Sequence, residues 1–174
     1  MPSSTSPSPR DGDPPGATAG DWLDPDQQSA WRALVLGTTL LFDRLDDELR
    51  EAHGVSWVEY EILVRLSEAG GRLRMAQLAD SLAHSRSRVT HTIKRMEASR
   101  VVERRTSPED GRGVEAILTS SGRDLIEQLA PLHVEGVRQH LVDLVDADDL
   151  AAVGRVFDAV ADRLVTARPG MEIR

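Results

Sequence analysis

The segment Ser85 to Glu97, SRSRVTHTIKRME, most constrains what this chain can become. Val89, Ile93 and Met96 recur at spacings of four and three, so a helix gathers them on one side. The other side then carries hydroxyls, guanidinium groups and an imidazole, and Ser85 is placed to cap the first turn. Before this segment, Met75, Leu78, Ala79 and Leu82 predict a short helix, with Ala83-His84 as the turn. After it, Val101 to Thr106 is β-prone, Val114 to Leu118 alternates, and Ser-Pro-Glu-Asp-Gly between them supplies turn chemistry. A short helix, a tight turn, a polar-faced second helix and a two-stranded hairpin follow the plan of a helix-turn-helix with a wing. In that plan the second helix enters the major groove of duplex DNA by its N-terminal end.

The overall charge of −8 argues at first against a polyanionic partner, but its distribution argues for one. Arg72 to Arg112 holds ten Lys or Arg and five acids, a balance of +5, which leaves −13 on the rest of the chain. Such segregation focuses positive potential on one surface. Charge alone would favour a solvated basic face; the motif order turns the reading towards a phosphate backbone.

The remaining segments read as a frame. Residues 1–21 are rich in Pro, Ser, Gly and Asp without apolar periodicity, and are expected to form a disordered tail. From Asp26 to His53, Leu34, Leu41, Leu45 and Leu49 form a helical stripe that Leu36 and Leu40 widen, and Gly54 is placed to end it in the left-handed conformation. Ser56-Trp57-Val58-Glu59 has the spacing of a capping box, which starts a second helix with Val58, Ile62, Leu66 and Ala69 inward and Gly70-Gly71 at its close. Thr119 to Gly122 opens a long helix whose stripe is Leu125, Leu129, Leu132, Gly136 and Leu144, and Pro131 should bend it or interrupt one hydrogen bond. Asp146 and Asp149 mark a last helix, with Leu150, Val153, Phe157, Val160 and Leu164 on one side. The division expected is a tail (1–21), dimerisation helices (22–54 and 119–168), a winged helix-turn-helix module (55–118) and a short end (169–174). The flanking helices carry more apolar face than the module can cover, so a symmetric homodimer is expected. The fold class is mainly α with a small β-wing.

HGVSWVEYEILVRLSEAGG, SRSRVTHTIKRME with VVERR after it, and PEDGRGVEAILTSSG leading into a long helix together resemble the MarR family of winged-helix transcriptional regulators, over roughly Asp26 to Val165. The resemblance implies a dimer on a pseudo-palindromic operator, wings in flanking minor grooves and a small-molecule pocket. It implies that Ser85, Ser87 and Arg88 begin the recognition helix, that Thr90 and His91 contact DNA, and that Arg95 lies near phosphates. It implies also that Asp110 orients Arg112 at the wing tip. Three positions depart from the family pattern: His91 replaces a common Arg, Gly111 a frequent Arg, and Arg100 a Gly after the recognition helix.

From the residues themselves, Arg86 and Arg88 can present a planar donor fork to guanine, whereas Lys94, Arg95, Arg104 and Arg105 lie further back and suit phosphates. Trp31, Trp57 and Tyr60 are expected in core or interface, with the further expectation that they line a cavity for an aromatic or phenolic effector. His133 and His140, seven apart, lack a third ligand of suitable spacing, so no metal or cofactor is expected. The absence of cysteine excludes disulfides and thiolate zinc sites. No Ser, His or Asp sits in a nucleophile-elbow context and no glycine-rich phosphate loop is present, so an enzyme is not expected. No apolar run is long enough to span a bilayer, and a cytoplasmic protein without membrane contact is expected. The alternative is a dimeric interaction protein of the same fold with little DNA affinity.

Overall fold

The computed structural model describes residues 22–107 and 113–166. The chain forms two compact units, Met1–Leu40 and Leu41–Arg174, which are taken one at a time. Helix α1 runs from Pro25 to His53, and its first part belongs to the first unit. It starts on a reciprocal cap: the Gln27 amide N–H donates to Asp24 Oδ1 at 2.8 Å, and the Gln27 side-chain oxygen accepts from the Asp24 N–H at 3.0 Å. In this unit Leu34 is half-buried, while Trp31, Val35, Leu36 and Leu40 are exposed.

The second unit holds the core. Helix α1 ends there with Leu45 and Leu49 buried, and Gly54 follows at φ 69°, a conformation glycine adopts without the Cβ clash. Helix α2 (Trp57–Glu68) begins on the capping box: the Ser56 hydroxyl accepts from the Glu59 N–H and the Glu59 carboxylate accepts from the Ser56 N–H. Tyr60, Ile62, Leu63 and Leu66 are its buried residues; Ala69, expected inward, is exposed, because it is the C-cap where the chain already turns away.

A strand that the sequence reading lacks comes next. β1 (Arg72–Arg74) pairs antiparallel with β3, so the expected two-stranded wing is part of a three-stranded sheet of order β1-β3-β2. A three-residue strand shows no periodicity of its own, and its pairing partner lies more than forty residues downstream. Helix α3 (Met75–Ser81) follows with no side-chain cap, then α4 (Arg86–Ala98). Strands β2 (Val102–Thr106) and β3 (Val114–Leu118) pair from Val102↔Leu118 to Thr106↔Val114.

Helix α5 (Ser120–His140) is capped by the Thr119 hydroxyl, which accepts from the Gly122 N–H at 3.0 Å. Gly122 cannot bear a side chain, since a Cβ there would lie 2.2 Å from the Val101 carbonyl. The helix continues through Pro131, which offers no N–H to the preceding turn. It stops before Leu144, which is 72% exposed in a single 3-10 turn (Val142–Leu144) and so leaves the expected stripe. Helix α6 (Ala147–Thr166) begins where the Asp149 N–H donates to Asp146 Oδ1 at 2.8 Å. Residues from α1, α2, α3, α4, β2, β3 and α5 share one buried cluster centred on Ile62, Leu66, Leu78, Val89 and Ile93.

Candidate nucleic-acid interface

Helix α4 is seated by Val89, Thr92, Ile93 and Met96, all buried, with Val89 and Ile93 fully so. Their spacing leaves Arg86, Ser87, Arg88, His91, Lys94 and Arg95 exposed on the opposite side. The Ser85 hydroxyl accepts from the Arg88 N–H at 3.3 Å and lies 3.2 Å from the Ser87 hydroxyl, so the first turn is capped and its hydroxyls are held together. The turn before it has Ala83 at φ 52°, with the His84 N–H donating back to the Ala79 carbonyl. At the other end Arg100 has φ 60°, so the chain turns as it would with glycine, at a strain of about 1 kcal/mol.

Two ionisable groups lie near Arg88. Glu61 of α2 is held above the usual carboxylate range by burial, opposed by the Arg65 guanidinium, the nearby Trp57 indole and the Arg88 guanidinium. His84 is pushed down by burial and then by Arg88, and its Nε2 is buried with no hydrogen-bond partner among the described residues. Arg88 therefore leaves the protein from a setting that favours a neutral imidazole beside it. Arg86 and Thr90 line an open groove of about 310 Å³ together with Arg74, Met75 and Val114, between the helix-turn-helix and the base of the wing.

The basic residues further back are differently engaged. Arg95 lies 3.4 Å from Glu59, the capping-box carboxylate of α2, but stays more than half exposed. Arg105 is exposed and pairs with Glu103 at 2.7 Å. Arg104 is turned inward and its guanidinium is held by Glu97. The sequence contained a signal for this difference: with Val102 buried, alternation along β2 sends Arg104 to the core side and Arg105 away from it. The acidic partners Glu59 and Glu97 were missed because no local spacing pairs them with the arginines. Asp110 and Arg112 lie outside the described residues, as does Gly111.

Away from this surface, Trp57 and Tyr60 meet in a cluster of rings with Phe42 and His133, with centroids 4.8 to 6.2 Å apart. His133 is pushed down by burial, and its Nδ1 is buried without a partner among the described residues. Trp31 belongs to the first unit, where it is exposed. His140 Nε2 lies 2.8 Å from Glu48, which this hydrogen bond holds below the usual carboxylate range. Among the described residues no group of three or more His, Cys, Asp or Glu is placed to hold a metal ion, and no helix is long and apolar enough to cross a membrane.

Residues 53–113 match the sequence profile of the MarR family. The transcriptional regulator PecS of Dickeya dadantii (strain 3937) is 30% identical over 132 residues, covering 71% of this chain and 80% of that protein. Two solved MarR family regulators of Streptomyces coelicolor are similar in structure. AbsC has a TM-score of 0.80 at 38% identity, covering 83% of this chain and 98% of its own. Sco3205, solved in complex with DNA, has a TM-score of 0.81 at 36% identity, covering 87% of this chain and 97% of its own. With its helix-turn-helix, its wing within a three-stranded sheet and relatives that match most of its length, this chain belongs to the MarR family of transcriptional regulators.

Proposed function

We propose that the chain is a sequence-specific, double-stranded-DNA-binding transcriptional regulator that acts in the cytoplasm as a homodimer, most simply as a repressor. The observation that carries this reading is the division of α4: one side fully buried, the other presenting Arg86, Ser87, Arg88, His91, Lys94 and Arg95 to solvent. Ser85 and Thr90 belong to the same contact surface and Arg105 extends it along β2; Asp110 and Arg112, outside the described residues, are assigned to DNA from the family resemblance alone. The DNA complex of Sco3205 supports the same use of this fold. Arg86 and Arg88 stand at the N-terminal end that enters a major groove and are assigned to base edges; Lys94, Arg95 and Arg105 are assigned to phosphates.

Val153, Val156, Phe157, Val160 and Leu164 along α6 are all more than 40% exposed, an apolar face that a second copy would cover. Two-fold pairing places half-sites about 10–10.5 base pairs apart. A small aromatic or phenolic effector that disturbs the Trp57 and Tyr60 cluster would release the DNA. Unchanged tryptophan fluorescence across a panel of phenolic compounds would count against that effector.

The central test titrates Arg88→Ala and Arg105→Ala against a duplex selected by the wild-type protein and against its scrambled counterpart. Arg88→Ala should lose about 1–3 kcal/mol of preference for the selected duplex, and Arg105→Ala should weaken both duplexes alike. Equal losses for both variants would overturn the division of roles. A salt-insensitive dimer that ignores DNA would instead favour a protein-interaction role.

A further inference from the structure

Arg104 and Arg105 are adjacent basic residues on the strand that leaves the recognition helix, yet they serve different ends. Arg105 faces outward and is two-thirds exposed, whereas Arg104 lies on the same side of the sheet as the buried Val102 and Ala116. Glu97, in the last turn of α4, meets Arg104 in three ways. Its Oε1 accepts from the Arg104 backbone N–H at 3.1 Å, and its Oε2 accepts from Nε at 2.7 Å and lies 2.7 Å from Nη2. β2 is an edge strand of the sheet, so Glu97 satisfies a backbone donor that β3 does not take up, while its other oxygen grips the guanidinium fork. The link bridges a tight turn in which Arg100 is left-handed, the Val101 N–H returns to the Met96 carbonyl, and the Thr119 hydroxyl donates to the Arg100 carbonyl at 2.8 Å.

We propose that Glu97 is a positioning residue for DNA binding, which through Arg104 fixes the angle between α4 and β2 so that recognition helix and wing engage the duplex together. The inference rests on the DNA-binding role proposed above. A carboxylate on the recognition helix would, by charge alone, repel phosphates, so its removal should tighten binding; a positioning role demands the opposite sign. It also assigns Arg104 away from the phosphates that its charge would suggest.

The experiment uses the full chain and a duplex selected by the wild-type protein from a random-sequence pool. Glu97→Gln keeps the size and loses the charge, and Arg104→Lys keeps the charge and loses the fork. Each should bind that duplex roughly tenfold more weakly. In hydroxyl-radical footprints, protection should fade at the flanks where the wing lies, while protection of major-groove guanines from methylation persists under α4. Circular dichroism at the binding temperature establishes that each variant is folded, and Arg104→Lys supplies the reading if Glu97→Gln does not fold. Binding by Glu97→Gln at wild-type strength or tighter, or uniform fading of the whole footprint, overturns the positioning role alone. A folded wild-type protein that enriches no duplex overturns the DNA-binding role and this inference with it.

Discussion

Helices α4 and α6 are both amphipathic, and they have opposite fates. The apolar face of α4 is closed by the body of its own chain, with Val89 and Ile93 at 0% exposure, while Val156 and Leu164 of α6 remain more than half exposed. The same kind of pattern thus records only that a face needs cover; where α4 is concerned the cover is α2, α3 and the sheet, and where α6 is concerned it must come from elsewhere. The difference also separates two tasks. A helix that presents arginines in a fixed array has to be rigidly seated, whereas the helix proposed above to join copies would have to keep its apolar face available.

This contrast can be broken most severely in the core. Ile93→Ala should destabilise the fold by about 2–5 kcal/mol, read from urea denaturation, because the lost atoms leave a cavity against well-packed neighbours. A loss under about 1 kcal/mol would show that α4 is not seated as described. On α6, Phe157→Asp should leave the secondary structure intact and convert the protein to monomers in sedimentation. If the wild-type protein already sediments as a monomer, the open face has another use.

Two changes at the ends of α4 sharpen the comparison by about 1 kcal/mol each, in opposite directions. Ser85→Ala removes the acceptor of the Arg88 N–H and should destabilise by about 1 kcal/mol. Arg100→Gly should stabilise by a similar or smaller amount, since φ 60° suits glycine, although the more flexible unfolded chain offsets part of the gain. A destabilised Arg100→Gly would mean that the Arg100 side chain makes a contact worth more than the strain it carries.

The smallest expected effect concerns pH. Burial pushes both His84 and His133 down, and Arg88 adds to the effect at His84. Unfolded imidazoles titrate near about 6.5, so below that value the unfolded chain takes up protons that the folded one resists. The stability they contribute is complete above about pH 6.5 and is lost as the pH falls through the interval beneath it. His133→Phe should flatten the decline in denaturation midpoint between about pH 6.5 and 5.5. An unchanged slope would show that His133 is as readily protonated in the fold as outside it.

Much of this was legible in one dimension. Ser85 as cap, Val89, Ile93 and Met96 as seat, and the capping box of Ser56 and Glu59 are local devices, and local spacing is what a sequence displays. The strand β1 was not legible, because three residues acquire strand character only from a partner brought in by the rest of the fold. Nor was the pairing of Arg104 with Glu97: alternation from Val102 sets the side of the sheet that Arg104 takes, but the carboxylate that holds it lies on another element, brought close only by the packing of α4 against β2.

The sequence by itself determined the order of helices, turn and wing, the buried face of the recognition helix and the residues left on its outer face, since each follows from periodicity and capping within a dozen residues. The tertiary structure decided which charges remain available to a partner. Pairing Arg95 with Glu59 and Arg104 with Glu97, while leaving Arg86, Arg88 and Lys94 exposed, depends on distances between elements, and those are set only when the core closes.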